Sequence, residues 1–419
     1  MLRRGNAPTW RNWTAGGAAA TLAAALTALA TCGGGGDETG GDGRAARAFG
    51  AAAAPSVPPP ILITPAHGTR GVRPDRRVVV TARRGTLRRV VVRAADGTRA
   101  PGRMSRDRRT WRTRWTLRPG TAYTVDSAGV ERDRPTAATA RFSTLRPQAT
   151  FGIADVTPRA GEAVGVGMPV IVVFDRPVLD RAAVERSLEL RMSRPVPGAW
   201  RWLDGRQVVF RPRRFWPAGQ RVALVAHTAG VRAAPGVYGR SDHATGFHVG
   251  PSRISTVDVP RHRMTVRVNG RAVRWAGISA GKGGVRKYTT TSGVHLTMGK
   301  ADPVVMSSAW MGVTDRKDPR YYKKTVRHAV QISSSGEYVH SAPWSVRSQG
   351  RANVSHGCVN ASPEFARWFY GQSLRGDVVT ILGTDRPLEW HNGWGYWQLP
   401  WSVWRAGSAL KHPVRPSRL

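Results

Sequence analysis

The chain has 419 residues and a mass of 45.5 kDa, which predicts two to four domains at about 150 residues each. Hydrophobic residues make up 41% of it, enough to exclude wholesale disorder. Two cysteines are too few for a disulfide scaffold or a multi-cysteine zinc protein, and no apolar run of transmembrane length follows residue 40.

The formal charge is +39, from 65 Lys and Arg against 26 Asp and Glu. Arginine dominates, and no lysine precedes Lys282. This excess of Arg over Lys, together with the high content of Ala and Gly, indicates a coding bias. Such a bias places arginines on every surface of the protein rather than at one binding site. Attraction to anionic wall polymers or lipid head groups is the second interpretation. Nucleic-acid binding is the third, because the sequence contains no basic-aromatic motif or recognition helix.

The N-terminal residues 1–32 have the pattern of an export signal. Arginines precede a soft apolar stretch over residues 15–30, and small residues follow. Cys32 at its end resembles the lipidated cysteine of a bacterial lipobox, although Thr31 departs from the usual Gly, Ala or Ser. Ordinary cleavage nearby and an uncut, weakly hydrophobic anchor are the alternatives. All three place the rest outside the cytoplasm, after a flexible tether at 33–58.

Two segments, at 59–147 and 148–250, share a ground plan. Each begins with Thr-Pro and a nearby glycine, at 64–68 and 157–161, and continues into an apolar strand about a dozen residues later. Short alternating strands with frequent turns predict two immunoglobulin-like β-sandwiches. The second copy has a helical insert at 181–188. Neither clusters titratable side chains, so we expect spacers.

The segment after Ile254 contains the residues suited to catalysis. His340 ends a short predicted strand, and Cys358 lies in the sequence Ser-His-Gly-Cys-Val-Asn at 355–360. A thiolate attacks a carbonyl, and a nearby imidazole can hold its proton and return it to the leaving amine. Backbone amides near Gly357 and Cys358 could stabilise the oxyanion, and glycine permits an unusual backbone there.

The chain after Cys358 predicts a helix and a core strand. Ser362 is a helix N-cap, followed by proline and glutamate, and the helix runs to about Ser373. A Gly-Asp turn then leads into an apolar strand at 378–382. The catalytic cysteine therefore lies between a rigid strand and the start of a helix.

Other readings of the same residues are simpler. A lone cysteine is usually a small buried hydrophobe. His340, His356 and Cys358 could ligate zinc, but a closed structural site needs four ligands with short paired spacings, and no second pair is visible. We therefore expect neither a metal nor a cofactor.

Residues 254–385 resemble the catalytic domain of the L,D-transpeptidase family, the YkuD type. Its signature is a His, a spacer, then Ser/Thr-His-Gly-Cys-x-Asn, and residues 355–360 fit every fixed position. The domain order resembles the actinobacterial branch, with two Ig-like modules before the catalytic domain and a Trp-rich tail after it. We set the last two domain bounds at 251–385 and 386–419, and expect a mainly β fold.

The resemblance implies roles for individual side chains. Cys358 would be the acylated nucleophile, His340 the general base and acid, and Ser341 would orient His340 through its carbonyl. Further residues would shape the site, namely His356, Gly357 and Asn360 around the oxyanion and Tyr322, Met306 and Trp344 along the substrate path. The alignment over 307–321 leaves Tyr321 as an alternative to Tyr322, and packing as an alternative for the last three.

The tail at 386–419 concentrates five tryptophans in fifteen residues, 390–404. Pro400 predicts a break with a new helix starting there, and Gly407 predicts its end. We expect the tail to pack onto the catalytic domain, with sugar stacking or membrane-surface contact as alternatives.

By resemblance, the protein cross-links peptidoglycan stem peptides through a cysteine acyl-enzyme, forming 3→3 bonds. We further expect side activity as an L,D-carboxypeptidase, acylation by carbapenems and contact with anionic wall polymers. The alternative from another class is a non-catalytic wall-binding protein that uses its charge. The intact motif favours the enzyme, because a binder needs no thiol beside two histidines.

Overall fold

The computed structural model describes residues 59–419, so the predicted export signal, Cys32 and the tether lie outside the described residues. This part of the chain is mainly β, as predicted, with three short α-helices. Among its helices, none is long and apolar enough to cross a membrane.

The first module is a sandwich of two four-stranded sheets, ordered β1-β2-β6-β5 and β4-β3-β7-β8. Leu87, Trp111 and Tyr123 are buried between them. A two-sheet architecture forms because the alternating strands bury one face each. The strands are β1 (Ile61–Thr64), β2 (Val79–Ala82), β3 (Thr86–Ala94), β4 (Arg99–Ala100), β5 (Gly102–Met104), β6 (Thr110–Thr113), β7 (Ala122–Glu131) and β8 (Arg134–Ser143).

The second module is also built from packed sheets, with four, five and three strands. Its strands are β9 (Ala149–Phe151), β10 (Ile153–Thr157), β11 (Ala163–Val164), β12 (Val170–Phe174), β13 (Leu188–Met192), β14 (Gly198–Trp202), β15 (Gln207–Pro212), β16 (Arg221–Ala226), β17 (Arg232–Ala234), β18 (Val237–Gly239) and β19 (His243–Val249). One sheet runs β10-β12-β15-β14, and another begins β11-β19-β16-β13. The predicted insert is helix α1 (Arg181–Ser187), capped by the Asp180 side chain on Ala183 N–H.

The third region carries the motif. Its strands are β20 (Arg253–Asp258), β21 (Arg263–Val268), β22 (Arg271–Gly277), β23 (Gly293–Leu296), β24 (Gly299–Ala301), β25 (Val304–Ser307), β26 (Lys323–Val326), β27 (Ala329–Gln331), β28 (Tyr338–Ser341), β29 (Val359–Ala361) and β30 (Val378–Leu382). They form the sheets β22-β21-β20-β30-β23 and β24-β27-β28-β29, and the hairpin β25-β26. Helix α2 (Pro363–Gln372) starts at Ser362, whose side chain accepts from Phe365 N–H, as predicted.

The second module and the third region share one hydrophobic core. Leu296 of β23 and Val378 of β30 belong to the same buried cluster as Met168. The backbones also touch: Gly165 N–H donates to Arg375 O at 2.8 Å, and a Cβ on Gly165 would lie 2.1 Å from Asp377 N. The second module therefore packs directly against the third region, because each region covers apolar surface of the other.

The Trp-rich tail docks mainly on the second module, so the expectation that it packs onto the catalytic domain is wrong for most of its length. Trp404 of helix α3 (Trp401–Ala406) is completely buried. The indole N–H of Trp404 donates to Ala199 O of β14 at 3.0 Å. The last strand, β31 (Ser417–Arg418), joins β13 in parallel. The start at Pro400 and the end at Gly407 follow the prediction.

Aromatic packing around one arginine explains this docking. Arg211 of β15 is 3% exposed, and its guanidinium lies 4.6, 5.6 and 4.9 Å from the ring centroids of Trp397, Trp401 and Trp404. It also donates to Leu399 O at 2.8 Å. A buried cation is costly unless such partners compensate it, and burial lowers the pKa of Arg211 to about 10.

Candidate active site

The predicted catalytic pair lies on or beside two neighbouring strands at one end of the smaller sheet. β28 and β29 run parallel, with His340 opposite Asn360. Cys358 lies in the bend directly before β29, two residues before Asn360. Both side chains line one cavity of about 750 Å³. The pairing of β28 with β29 therefore brings His340 and Cys358, which are separated by a long loop, to the same cavity.

His340 is held in one orientation. Its side chain is 2% exposed, and Nδ1 lies 2.9 Å from the carbonyl oxygen of Ser341. A carbonyl can only accept, so Nδ1 carries the proton and Nε2 keeps its lone pair. Burial lowers the pKa of His340 to about 4, so the imidazole is neutral at pH 7 and able to accept a proton.

Cys358 rests as a thiol. Its Sγ donates to Gly336 O at 3.6 Å, while the backbone N–H of Tyr338 hydrogen-bonds the sulfur. Burial, together with a smaller effect of the charge of nearby Glu337, raises the pKa of Cys358 to about 12. The structure therefore has a neutral thiol and a neutral imidazole, and the attacking thiolate requires a proton transfer.

The turn before Cys358 is fixed by hydroxyl groups. Ser355 Oγ accepts from Gly357 N–H at 3.1 Å and donates to Cys358 O at 2.6 Å. Thr290 donates its hydroxyl proton to Gly357 O at 2.8 Å. Gly357 has φ +125°, a conformation that L side chains rarely adopt, although the space around its Cα is open. Glycine is required here by backbone geometry and not by crowding.

His356 lies between two tyrosine rings. It stacks on Tyr322 at a centroid distance of 4.9 Å and meets Tyr288 edge-on at 4.8 Å. Burial, with Lys282 and Lys324 nearby, lowers its pKa. Both Tyr321 and Tyr322 line the cavity, but the ring contact to His356 belongs to Tyr322.

The hairpin β25-β26 forms one wall of the cavity. Met306 of β25 pairs with Lys324 of β26, and the Lys324 ammonium lies 4.5 Å from the ring centroid of Trp344. Trp344 is 47% exposed and lies 6.0 Å from the His340 ring. Met306 and Trp344 both line the cavity, where they can contact a bound chain.

Asn360 has a supporting position. It is 3% exposed, and its side-chain amide donates to Ser345 Oγ at 3.1 Å. Its backbone N–H and C=O pair with Ser279 at 2.9 and 3.0 Å. These bonds tie β29 to the segment that follows β22, so Asn360 holds the strand beside His340.

Sequence reasoning missed a buried polar network behind Cys358. Glu337 is 5% exposed, and its two carboxylate oxygens accept from Thr291 N–H at 2.7 Å and Thr291 Oγ1 at 2.6 Å. His295 Nε2 lies 2.8 Å from the same hydroxyl oxygen. One feature of the sequence could have indicated this network. Glu337 lies two residues before the buried Val339, so in an extended strand both side chains face the protein interior.

A second missed contact comes from the tail. Asn392 Oδ1 accepts from Ser334 Oγ and Ser335 N–H, both at 3.0 Å. Gly393 N–H donates to Ser334 Oγ at 2.7 Å. These groups hold the turn that presents Gly336 O to the thiol, so the start of the tail, unlike its helix, touches the catalytic region.

Within residues 59–419, no group of three or more His, Cys, Asp or Glu side chains is arranged to hold a metal ion.

Comparison with known proteins identifies the family. A family model described as the L,D-transpeptidase catalytic domain matches residues 252–381, and one described as a bacterial Ig domain matches 69–232. L,D-transpeptidase 2 of Mycobacterium tuberculosis is 37% identical, over 84% of this chain and 85% of that protein. The chain belongs to the L,D-transpeptidase family. L,D-transpeptidase 5 of the same species is 32% identical, over 85% of this chain and 78% of that protein.

Solved structures of other L,D-transpeptidases are also similar. A structure of LD transpeptidase LdtMt1 in complex with imipenem is 37% identical, with a TM-score of 0.47. The match covers 55% of this chain and 99% of that chain. An L,D-transpeptidase from Mycobacterium smegmatis is 38% identical, with a TM-score of 0.47, covering 56% and 99%. As an L,D-transpeptidase, this protein acts on cell-wall peptidoglycan as a transpeptidase.

Proposed function

We propose that this L,D-transpeptidase works through a Cys358 acyl-enzyme and forms 3→3 cross-links. The observation that carries the proposal is that His340, on β28, and Cys358, directly before the adjacent strand β29, line the same cavity. His340 Nε2 has a free lone pair because Nδ1 donates to Ser341. A neutral base beside a protonated thiol is the arrangement that nucleophilic catalysis requires.

The reaction divides into two acyl transfers. Sγ of Cys358 bonds to the carbonyl carbon of the L-centre of the diamino acid at stem position three, while its proton passes to His340 Nε2. The C–N bond to the terminal D-Ala breaks, and the leaving amine takes that proton. The side-chain amine of a second stem then attacks the thioester carbonyl and gives a proton to His340. The C–S bond breaks, and His340 returns that proton to Sγ, so Cys358 leaves as a thiol.

The oxyanion of each tetrahedral intermediate needs a donor. The N–H of Gly357 is occupied by Ser355 Oγ, whereas no hydrogen bond among those described for residues 59–419 uses the N–H of Cys358. We assign this amide as the main oxyanion donor. His356 would help to shape the site from the adjacent position, and Asn360 would act by holding β29.

We assign Met306, Tyr322 and Trp344 to the substrate path. Each lines the cavity, and together they offer apolar and aromatic surface to an extended stem peptide. The cavity volume of about 750 Å³ suits a peptide of a few residues. The strongly positive chain would also favour contact with anionic wall polymers around the substrate.

We further propose that the chain is exported and lipid-anchored at Cys32, which lies outside the described residues. The basic and apolar pattern before Cys32 supports export. Metabolic labelling with a fatty acid should label the full chain and leave a Cys32→Ala variant unlabelled. Equal labelling of both would contradict lipidation at this cysteine.

The proposed reaction is tested by mass spectrometry of disaccharide-tetrapeptide incubated with the full chain. We expect a dimer whose fragmentation joins two position-three residues, and tripeptide where water replaces the acceptor amine. Cys358→Ala should form neither product, and His340→Ala should lose several orders of magnitude in rate. A dimer joined through position four would contradict the proposal.

A further inference from the structure

The lysines of this chain are concentrated in the catalytic region. Seven of the 65 basic residues are lysine, and six of those seven lie within residues 282–324. A coding bias towards arginine acts on the whole chain, so it does not explain why lysine is kept in one segment. Lysine differs from arginine in carrying a compact point charge on a flexible stem. The distribution therefore indicates that this segment needs ammonium groups.

The cavity of the candidate active site is lined by more positive than negative side chains. Lys287, Lys324 and Arg386 line it, and among the lining residues Glu337 is the one acidic side chain. Glu337 is 5% exposed, and both of its carboxylate oxygens accept hydrogen bonds from Thr291. It therefore offers almost no surface to a ligand, and the surface that a ligand meets is positive. Such a cavity attracts anionic groups.

Lys324 is the cation of this cavity with unused hydrogen-bond donors. Arg386 donates to the backbone carbonyls of Arg286 and Thr289, both at 3.3 Å. In the part of the chain that the structure describes, Lys324 makes no hydrogen bond and no ion pair, and its ammonium lies 4.5 Å from the ring centroid of Trp344. An ammonium has three N–H groups, so one that lies over a ring can still donate to a bound anion.

The position of Lys324 indicates which carboxylate of a stem peptide it can reach. One aromatic ring separates it from the catalytic pair, because the centroid of the Trp344 ring lies 6.0 Å from that of the His340 ring. The carboxylate of the terminal D-Ala lies next to the bond that breaks, so it would lie against Cys358 and His340 themselves.

The side chain of the position-three diamino acid reaches further. It begins at the carbon bonded to the attacked carbonyl. Where its far centre carries a carboxyl group, it ends in that group beside the side-chain amine. A carboxylate at the end of such a side chain matches a cation that lies one ring away from the reacting atoms.

We propose that Lys324 is a specificity-determining residue that binds this side-chain carboxylate, so that the enzyme prefers stems with a free carboxyl at position three to stems amidated there. A charge-assisted hydrogen bond from the ammonium is lost when the carboxylate becomes a neutral carboxamide. This inference rests on the proposed function, because it names the substrate of the same site.

Two stems enter the reaction, and each can supply the carboxylate. In the donor, the bond to Lys324 would hold the residue whose carbonyl is attacked. In the acceptor, the carboxylate and the attacking amine share one carbon, so binding the first places the second. The chemistry is the same in both cases, and the experiment separates them.

The test measures kcat/KM of the full chain in two arms. The first compares two donor tetrapeptides, with a free or an amidated side-chain carboxyl at position three, by the release of D-Ala to excess hydroxylamine. Their side-chain amines are acetylated, so neither acts as an acceptor. The second combines the free-carboxyl donor with a free or an amidated acceptor tripeptide. Wild-type protein should favour the free carboxyl by about tenfold in at least one arm, which identifies the stem that Lys324 binds.

Variants of two neighbouring lysines assign this preference. Lys324→Gln should reduce the ratio to about one, whereas Lys324→Arg, which keeps the charge, should retain most of it. Lys323→Gln is the matched control: Lys323 lies on the same strand β26 and carries the same charge, but it does not line the cavity. We expect it to keep the wild-type ratio.

Three results would count against the account. Equal use of free and amidated stems by wild-type protein in both arms would overturn the inference. A preference that persists in folded Lys324→Gln, or that Lys323→Gln removes equally, would overturn the role of Lys324. Wild-type protein that converts neither stem in either arm would instead refute the proposed function on which the inference rests.

Discussion

Trp404 is the residue on which the docking of the tail depends most. Its ring is fully buried against β14 and β15, and its N–H bonds Ala199 O at 3.0 Å. Trp404→Ala removes this hydrogen bond and leaves a cavity beside Tyr396, which for a buried tryptophan costs about 3–5 kcal/mol. We expect a guanidinium unfolding curve with a lower midpoint and an earlier release of the C-terminal segment to protease.

Trp275 provides a matched control, because its ring is 61% exposed on the edge strand β22 and contacts only the Arg263 guanidinium among the described ring contacts. Trp275→Ala should change the free energy of unfolding by less than about 1 kcal/mol. If Trp404→Ala costs no more than Trp275→Ala, the tail is not anchored as described.

Three further predictions concern ionisation and acylation. Because burial lowers the pKa of His340 to about 4, single-turnover acylation by a β-lactam should fall only as pH drops towards 4, and a midpoint near 6.5 would contradict a buried neutral base. Burial raises the pKa of Asp377 to about 6 despite Arg253, so the folded carboxyl binds its proton more tightly than the unfolded one. The free energy of unfolding should therefore decrease as pH rises from about 4 to 6, and Asp377→Asn should flatten that slope in urea titrations. A carbapenem should add one drug mass to Cys358, prior iodoacetamide should block it, and an adduct on a serine peptide would argue against the thiol.

Local signals in the sequence predicted the parts of the site that depend on neighbouring residues. Ser362 and the proline after it define the start of α2 through a capping bond three residues away. The motif at 355–360 located Cys358, and the short strand before it located His340. These features are readable because both partners of each interaction lie within a few residues of one another.

The contacts that were not predicted join residues far apart in the chain. Glu337 and His295 meet only because β23 and the turn before β28 come together, and no local pattern records that meeting. Nothing in the sequence indicated that Arg211 contacts the tryptophans of the tail, because a strongly basic chain contains many equivalent arginines. Helical spacing described the tail's tryptophans without indicating which surface they cover.

The central claim is that Cys358 carries the acyl group between two stems. It is tested most directly by acid-quenching the full chain during turnover of disaccharide-tetrapeptide and digesting it with trypsin. We predict that peptide 352–367 gains the mass of the donor stem without its terminal D-Ala, as a thioester that hydroxylamine removes. The Cys358→Ala protein should show no adduct. Turnover without this adduct, or an adduct retained by Cys358→Ala, would contradict the account.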